Sequence, residues 1–137
     1  MLNGDTWLEY DPPALEAAAR ASNAPMAIAL ARVDDVARYG AVDIDHGRVA
    51  GFREKGEAGP GWINAGCYFL GADALAALPA RDAFSFEQDV LQPSVQAGTV
   101  AAFTATAGFI DIGVPEDYAR AQTLFAGLVT REVVAAL

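Results

Sequence analysis

Residues 108–118 read Gly108-Phe109-Ile110-Asp111-Ile112-Gly113-Val114-Pro115-Glu116-Asp117-Tyr118. The apolar run closes on an aspartate beside a glycine, and Pro115 then opens a helix. Proline tolerates the first helical position, and Glu116 and Asp117 fall in the first turn, where the helix terminus favours negative charge. The stretch is therefore a buried strand turning into an amphipathic helix, predicted over Pro115 to Leu128, with a helical tail from Thr130 to Leu137. An aspartate at a strand end packs poorly and is well placed to hold a cation. The other end of the chain repeats the arrangement. Met1-Leu2-Asn3-Gly4-Asp5-Thr6 reads as the end of a strand, Leu2 to Trp7, running into a loop at Asp5.

Working inward from both ends, strands and helices alternate. Pro12 and Pro13 start a helix with Asp11 as its cap, Ala14 to Ser22 continue it and Asn23 ends it. Pro25 to Val33 is short and apolar, as a buried strand is, and Asp34 to Arg38 reads as a helical turn. Ala41 to Asp45 and Arg48 to Glu54 flank His46-Gly47, a two-residue hairpin signal. Gly56 to Gly61 is a loop, Trp62 to Leu70 a strand, Asp73 to Leu78 and Ser85 to Leu91 short helices, and Thr99 to Ala105 a strand. Interleaving of this kind, with one hairpin insertion and no Gly- or Ser-rich linker, predicts an α/β domain with a mixed sheet flanked by helices.

The 137 residues amount to one domain or part of one, with 53% hydrophobic and 20% charged residues, the composition of a globular chain. The net charge of −9 and the lack of any Lys/Arg cluster argue against a nucleic-acid-binding surface. A nucleotide ligand is still compatible, since a bound cation can supply positive charge. Cys67 is the only cysteine, so no internal disulfide forms, which fits a reducing cytoplasm. The residues at the N-terminus, with Asp5 among them and no basic segment, do not read as a signal peptide, and no apolar stretch approaches a membrane span.

Five segments, in order, resemble the sugar-phosphate nucleotidyltransferase family, whose members join a sugar 1-phosphate to a nucleoside triphosphate and release pyrophosphate. They are Leu2-Asn3-Gly4-Asp5, Phe52-Arg53-Glu54-Lys55, Ile63-Asn64-Ala65-Gly66-Cys67-Tyr68, Ser85-Phe86-Glu87-Gln88-Asp89-Val90-Leu91 and the 108–118 stretch. With Arg38-Tyr39-Gly40, the wording is most similar to the branch that uses GTP with manno-configured hexose or heptose 1-phosphates. The resemblance implies a Rossmann-like, GT-A-type domain and a cytoplasmic enzyme of nucleotide-sugar and surface-polysaccharide biosynthesis. It implies magnesium held by Asp5 and Asp111, which bridges the phosphates, offsets their repulsion and aligns the attacking oxygen. It assigns Lys55 to the sugar phosphate, and Asn64, Ala65, Gly66 and Glu87 to the sugar.

Each assignment has a plainer competitor. Asp5 and Asp111 taken singly are ordinary turn and helix-approach residues; in matching contexts at both ends, the metal is the better reading. Lys55 is equally read as a solvated lysine, and the family's usual proline after it is replaced by Gly56. Asn64 inside an apolar run favours a ligand role over a satisfied core amide. Glu87 and Asp89 follow Ser85 as acidic residues of a helix start, and Asp89 is read as structural. His46 is a turn residue and Cys67 a core residue. Asp43-Ile44-Asp45 has the Asp-x-Asp spacing of glycosyltransferases, but beside a hairpin turn it reads as a solvated strand face.

The resemblance covers only the second part of the family's domain. The family's opening strand, its Gly-x-Gly-Thr-Arg-Leu loop and the lysine that follows have no counterpart in these residues. Gly56 to Gly61 is no substitute, having neither a basic residue nor a helix after it. The expectation is a C-terminal part of a nucleotidyltransferase domain, residues 1–137, lacking its N-terminal strands and silent alone. The strand at Leu2 to Asp5 would have an open side, which predicts self-association or pairing with an N-terminal segment. The rival readings are a truncated homologue that binds a sugar phosphate or a partner without catalysis, and an enzyme of the family that uses UTP or dTTP.

Overall fold

The computed structural model describes residues 1–135, with side chains described through residue 127. Its elements in order are β1 (Thr6–Tyr10), α1 (Pro12–Ala21), β2 (Met26–Val33), β3 (Val42–Asp45), β4 (Arg48–Phe52), β5 (Gly61–Leu70), α2 (Ala72–Ala76), a wide π-type turn (Phe86–Leu91) running into α3 (Gln92–Gln96), β6 (Val100–Phe103), β7 (Thr106–Asp111) and α4 (Pro115–Ala135). Five strands form one sheet in the order β3-β4-β6-β2-β5, while β1 and β7 form a two-stranded sheet. The main sheet is mixed: β2 runs parallel to β6 and antiparallel to β5. The α/β class read from the alternation of elements is the class observed.

Strand β2 organises the core because both its faces are covered. Met26, Ile28 and Leu30 point to one side, against Val49, Tyr68, Leu91, Val95 and Val100. Ala27, Ala29 and Ala31 point to the other, against Leu8, Leu15, Ala19, Ile63 and Phe103. The small alanine face lets α1 lie close to the sheet, and the large face meets the Phe86–Gln96 helical segment. Burial on both faces explains why this strand reads as a continuous apolar run.

Three local features differ from expectation. Leu2 forms only an isolated antiparallel bridge to Cys67, Gly4 and Asp5 are a bend, and the strand begins after Asp5. Its residues Thr6 to Tyr10 pair with β7, Thr6 opposite Asp111 and Leu8 opposite Phe109, so Asp5 precedes a strand and does not end one. Asp34 to Arg38 is not helical; Val36 to Gly40 closes a turn in which Tyr39 and Gly40 N–H both donate to the Val36 carbonyl. Asp11 stands at the cap position of α1, but its side chain makes no capping bond, and the two prolines behind it remove two of the N–H groups that a cap would serve. The hairpin is as read, with His46 and Gly47 at φ 46° and 75°. Helix α4 runs unbroken to Ala135, joining the two helices expected there; residues 136 and 137 lie outside the described residues.

Candidate active site

The pairing of β1 with β7 brings the two ends of the chain together. Thr6 faces Asp111 in register, and the Ile112 N–H donates to the Asp5 carbonyl at 2.9 Å, so Asp5, just before β1, stands one step from Asp111 at the end of β7. They open onto a cleft of about 480 Å³. Its walls also carry Lys55 from the turn after β4, Asn64 from β5 and Glu87 from the π-type turn. Five residues singled out in the sequence, from distant parts of the chain, therefore share one cavity. Ala65 and Gly66 do not line it: Ala65 is fully buried in the core, and Gly66 packs on Asn3 and Thr6.

Those two residues are the product of a bulge. Cys67 lies opposite Ala29 and Asn64 opposite Leu30, so Ala65 and Gly66 are extra on β5. Gly66 takes φ +74°, which a side chain resists, and its N–H donates to Asn64 Oδ1 at 2.9 Å. Asn64 Nδ2 donates to the Tyr68 hydroxyl at 2.9 Å. The amide is thus locked by its own strand and keeps its remaining donor and acceptor capacity toward the cleft. Burial pushes the Tyr68 hydroxyl above its ordinary pKa, the Asn64 bond draws it back, and the nearby charges of Glu87 and Asp5 raise it further.

Cations in the wall are mostly committed. Arg53 pairs with Asp43 at 3.1 Å and with Glu57 at 3.2 Å. Arg38 is bonded to Asp117 and lies 3.4 Å from Asp111 Oδ2. Lys55 alone among the described cleft cations makes no hydrogen bond or ion pair, so its ammonium is available to an incoming anion. The turn that presents it depends on Gly56, whose φ is +110° and whose N–H donates to the Ala37 carbonyl at 2.9 Å. Proline can satisfy neither condition, so the departure from the family pattern at this position has a local structural basis.

The aspartates suit a hard cation. Magnesium takes oxygen ligands and usually one or two carboxylates, with water and phosphate oxygens completing the shell. Asp5 is exposed and its carboxylate has no partner among the described residues. Asp111 receives the Gly113 N–H on Oδ1 at 2.7 Å and keeps Oδ2 toward the cleft side of Arg38. No group of three or more His, Cys, Asp or Glu close enough to hold a metal occurs among the described residues. The donor chemistry of the two carboxylates, with no third His, Cys, Asp or Glu grouped with them among the described residues, is that of an open site rather than of a closed protein cage.

Glu54, Tyr39, Asn3 and Gln92 also line the cleft and were not singled out from the sequence as ligands. The available signals were position beside Lys55 for Glu54, and the Arg38-Tyr39-Gly40 wording for the turn. The remaining candidates sit elsewhere. Asp89 accepts the Ser85 N–H at 2.8 Å and pairs with Arg81 at 2.6 Å, closing a helix start, and these contacts hold its carboxyl below the ordinary value. His46 is solvent-exposed beside Asp45, and Cys67 is buried, its thiol pushed up by burial.

A sequence model of the family described as Nucleotidyl transferase matches residues 1–126. D-glycero-alpha-D-manno-heptose 1-phosphate guanylyltransferase of Aneurinibacillus thermoaerophilus is 34% identical over 89% of this chain and 53% of its own length. The enzyme of the same name from Campylobacter jejuni is 36% identical, over 86% of this chain and 52% of its own. Crystal structures of HddC from Yersinia pseudotuberculosis, one of them complexed with GMP-PN, superpose with a TM-score of 0.73 at 42% identity, covering 90% of this chain and 53% of that one. The chain spans about half the length of the curated relatives it matches.

Proposed function

The chain belongs to the nucleotidyl transferase family, and on that premise we propose that it is the sugar-phosphate half of a sugar-1-phosphate guanylyltransferase, acting on a manno-configured hexose or heptose 1-phosphate in the cytoplasm to supply a GDP-sugar for polysaccharide synthesis. The observation that carries this reading is the convergence of Asp5, Lys55, Asn64, Glu87 and Asp111 on one cleft. The names of the relatives, guanylyltransferases of heptose 1-phosphate, support the choice of nucleotide and sugar class.

In the reaction a phosphate oxygen of the sugar 1-phosphate forms a bond to the nucleotide's α-phosphorus as the bond to pyrophosphate breaks. Two anions must be held together for this to happen, so positioning and charge compensation carry the catalysis. Lys55 meets the sugar phosphate as a point charge that no described carboxylate shares. Asn64 offers both a donor and an acceptor to the sugar hydroxyls, with Glu87 and Glu54 as further acceptors lining the same cleft. Asp5 and Asp111 would hold magnesium, which when bound supplies Lewis-acid charge compensation for the phosphates.

Within 137 residues no glycine-rich, basic loop is available to cradle a triphosphate. We therefore read these residues as a site completed by a further segment, and as silent without one. Titration of the chain with mannose 1-phosphate and a heptose 1-phosphate tests the sugar half separately from turnover. Saturable binding that weakens about tenfold or more in Lys55→Ala is expected, since a charge-assisted contact to phosphate is lost. No binding, or binding indifferent to Lys55, would contradict the assignment.

A further inference from the structure

One contact in the cleft has no part in the reaction as proposed. Arg38 leaves the Val36–Gly40 turn with its guanidinium shared between two carboxylates. Nη1 donates to Asp117 in the first turn of α4, while Nη2 lies 3.4 Å from Asp111 Oδ2 and 3.4 Å from the Asp111 carbonyl oxygen. Tyr39 backs the group, with the guanidinium carbon 5.0 Å from the ring centre, and Tyr39 is itself braced edge-on by Phe109 at 5.7 Å.

These contacts are unequal. The bond to Asp117 is close, whereas 3.4 Å is long for a charge-assisted hydrogen bond, which runs to about 2.7–2.9 Å. Arg38 is therefore anchored on Asp117 and leans on Asp111. Asp111 Oδ1 already accepts the Gly113 N–H, so Oδ2 is the less engaged oxygen, and it is the one Arg38 faces. A guanidinium cannot lose its charge by deprotonation in a protein, so a cation reaching Oδ2 must either displace it or approach against it.

We propose that Arg38 is a tethered counter-cation for Asp111, competing with a divalent cation for Oδ2 and so lowering the affinity of the cleft for the free ion. Asp117 provides the tether that keeps the competitor from either capturing Asp111 or leaving. This inference rests on Asp5 and Asp111 being the cation-holding pair.

The test is a titration of the 137-residue chain with Mn2+ alone, followed by the electron paramagnetic resonance signal of free Mn2+, at low ionic strength. Arg38→Gln is expected to bind Mn2+ roughly three- to tenfold more tightly than the parent. Arg53→Gln, which removes another cleft arginine paired with different carboxylates, is the control and is expected to change binding much less. Affinity unchanged or weakened in Arg38→Gln, or raised equally in both variants, would overturn the proposal. Should Arg38→Gln lose its fold by circular dichroism, Arg38→Lys carries the same expectation in smaller measure, because an ammonium cannot span both carboxylates; unchanged binding there would overturn the proposal too. Asp5→Asn and Asp111→Asn separate the two claims. Mn2+ binding indifferent to both sinks the cation pair itself, whereas binding lost in both, with no gain in the Arg38 variants, sinks only the role of Arg38.

Discussion

Gly66 sets the β5 bulge beside Asn64, which lines the cleft. At φ +74° an added methyl would meet Thr6 Oγ1 at 2.7 Å and Asn3 Nδ2 at 2.8 Å. Gly66→Ala is expected to cost about 1–3 kcal/mol, from backbone strain and a forced shift of two neighbours, and to lower the denaturant midpoint accordingly. Loss confined to a few tenths of a kcal/mol would mean that the bulge is soft. Asn64→Ala removes the amide that accepts from Gly66 and donates to Tyr68, so stability and sugar-phosphate affinity should fall together. Gly66→Ala should affect affinity only by disturbing Asn64, since Gly66 itself does not reach the cleft. At Gly56, substitution by proline is expected to destabilise the turn that presents Lys55 and to weaken sugar-phosphate binding, although proline there is the family's usual residue.

Between elements, two arginines act as clamps. Arg48 at the start of β4 donates to the Gly98 carbonyl at 2.8 Å and to the Ser22 carbonyl at 2.5 Å, tying the hairpin to the ends of α3 and α1. Hydrogen bonds from a charged donor contribute about 1.5–3 kcal/mol, so Arg48→Ala should cost roughly that much and speed amide exchange in β3 and β4 ahead of β2. Arg38 ties the Val36–Gly40 turn to α4 through Asp117, whose carboxyl it holds below the ordinary carboxylate range. A depressed folded pKa gives stability that is present above the unfolded value and lost as pH falls through the folded one. The melting temperature should therefore drop on acidification, and Asp117→Asn should flatten that drop at the acid end; an identical slope in the variant would remove Asp117 from the account. Much at this scale was legible from local sequence: the hairpin from His46-Gly47, α4 from Pro115 and the acids behind it, and β2 from an apolar run bounded by turns. The start of β1 was not. Apolar residues flank Asn3-Gly4-Asp5 on both sides, and only the non-local pairing of Thr6 with Asp111 decides which side becomes strand. The bulge in β5 left one trace, a glycine inside a strand pattern, which also reads as room for a ligand.

For the whole molecule, the central feature is a cleft shared by residues from distant parts of the chain. Asp5 and Asp111 meet because β1 and β7 pair across most of the chain's length, and Lys55, Asn64 and Glu87 reach the same cleft from the turn after β4, from β5 and from the π-type turn. That convergence could be anticipated from the order of the five segments. The exclusion of Ala65 and Gly66 from the wall could not, because it depends on a bulge set by the partner strand. Met1 and Leu2 lie along the β5 edge with 52% and 66% of their surface exposed, and among the described residues no strand pairs on their other side. Pyrophosphate release is the direct test: the 137-residue chain with magnesium, GTP and mannose 1-phosphate or a heptose 1-phosphate, with and without a supplied segment carrying a glycine-rich phosphate loop. The account predicts turnover only when the segment is supplied, and loss of that turnover in Asp5→Ala and Asp111→Ala. Turnover by the chain alone, or turnover that survives both aspartate substitutions, would contradict it.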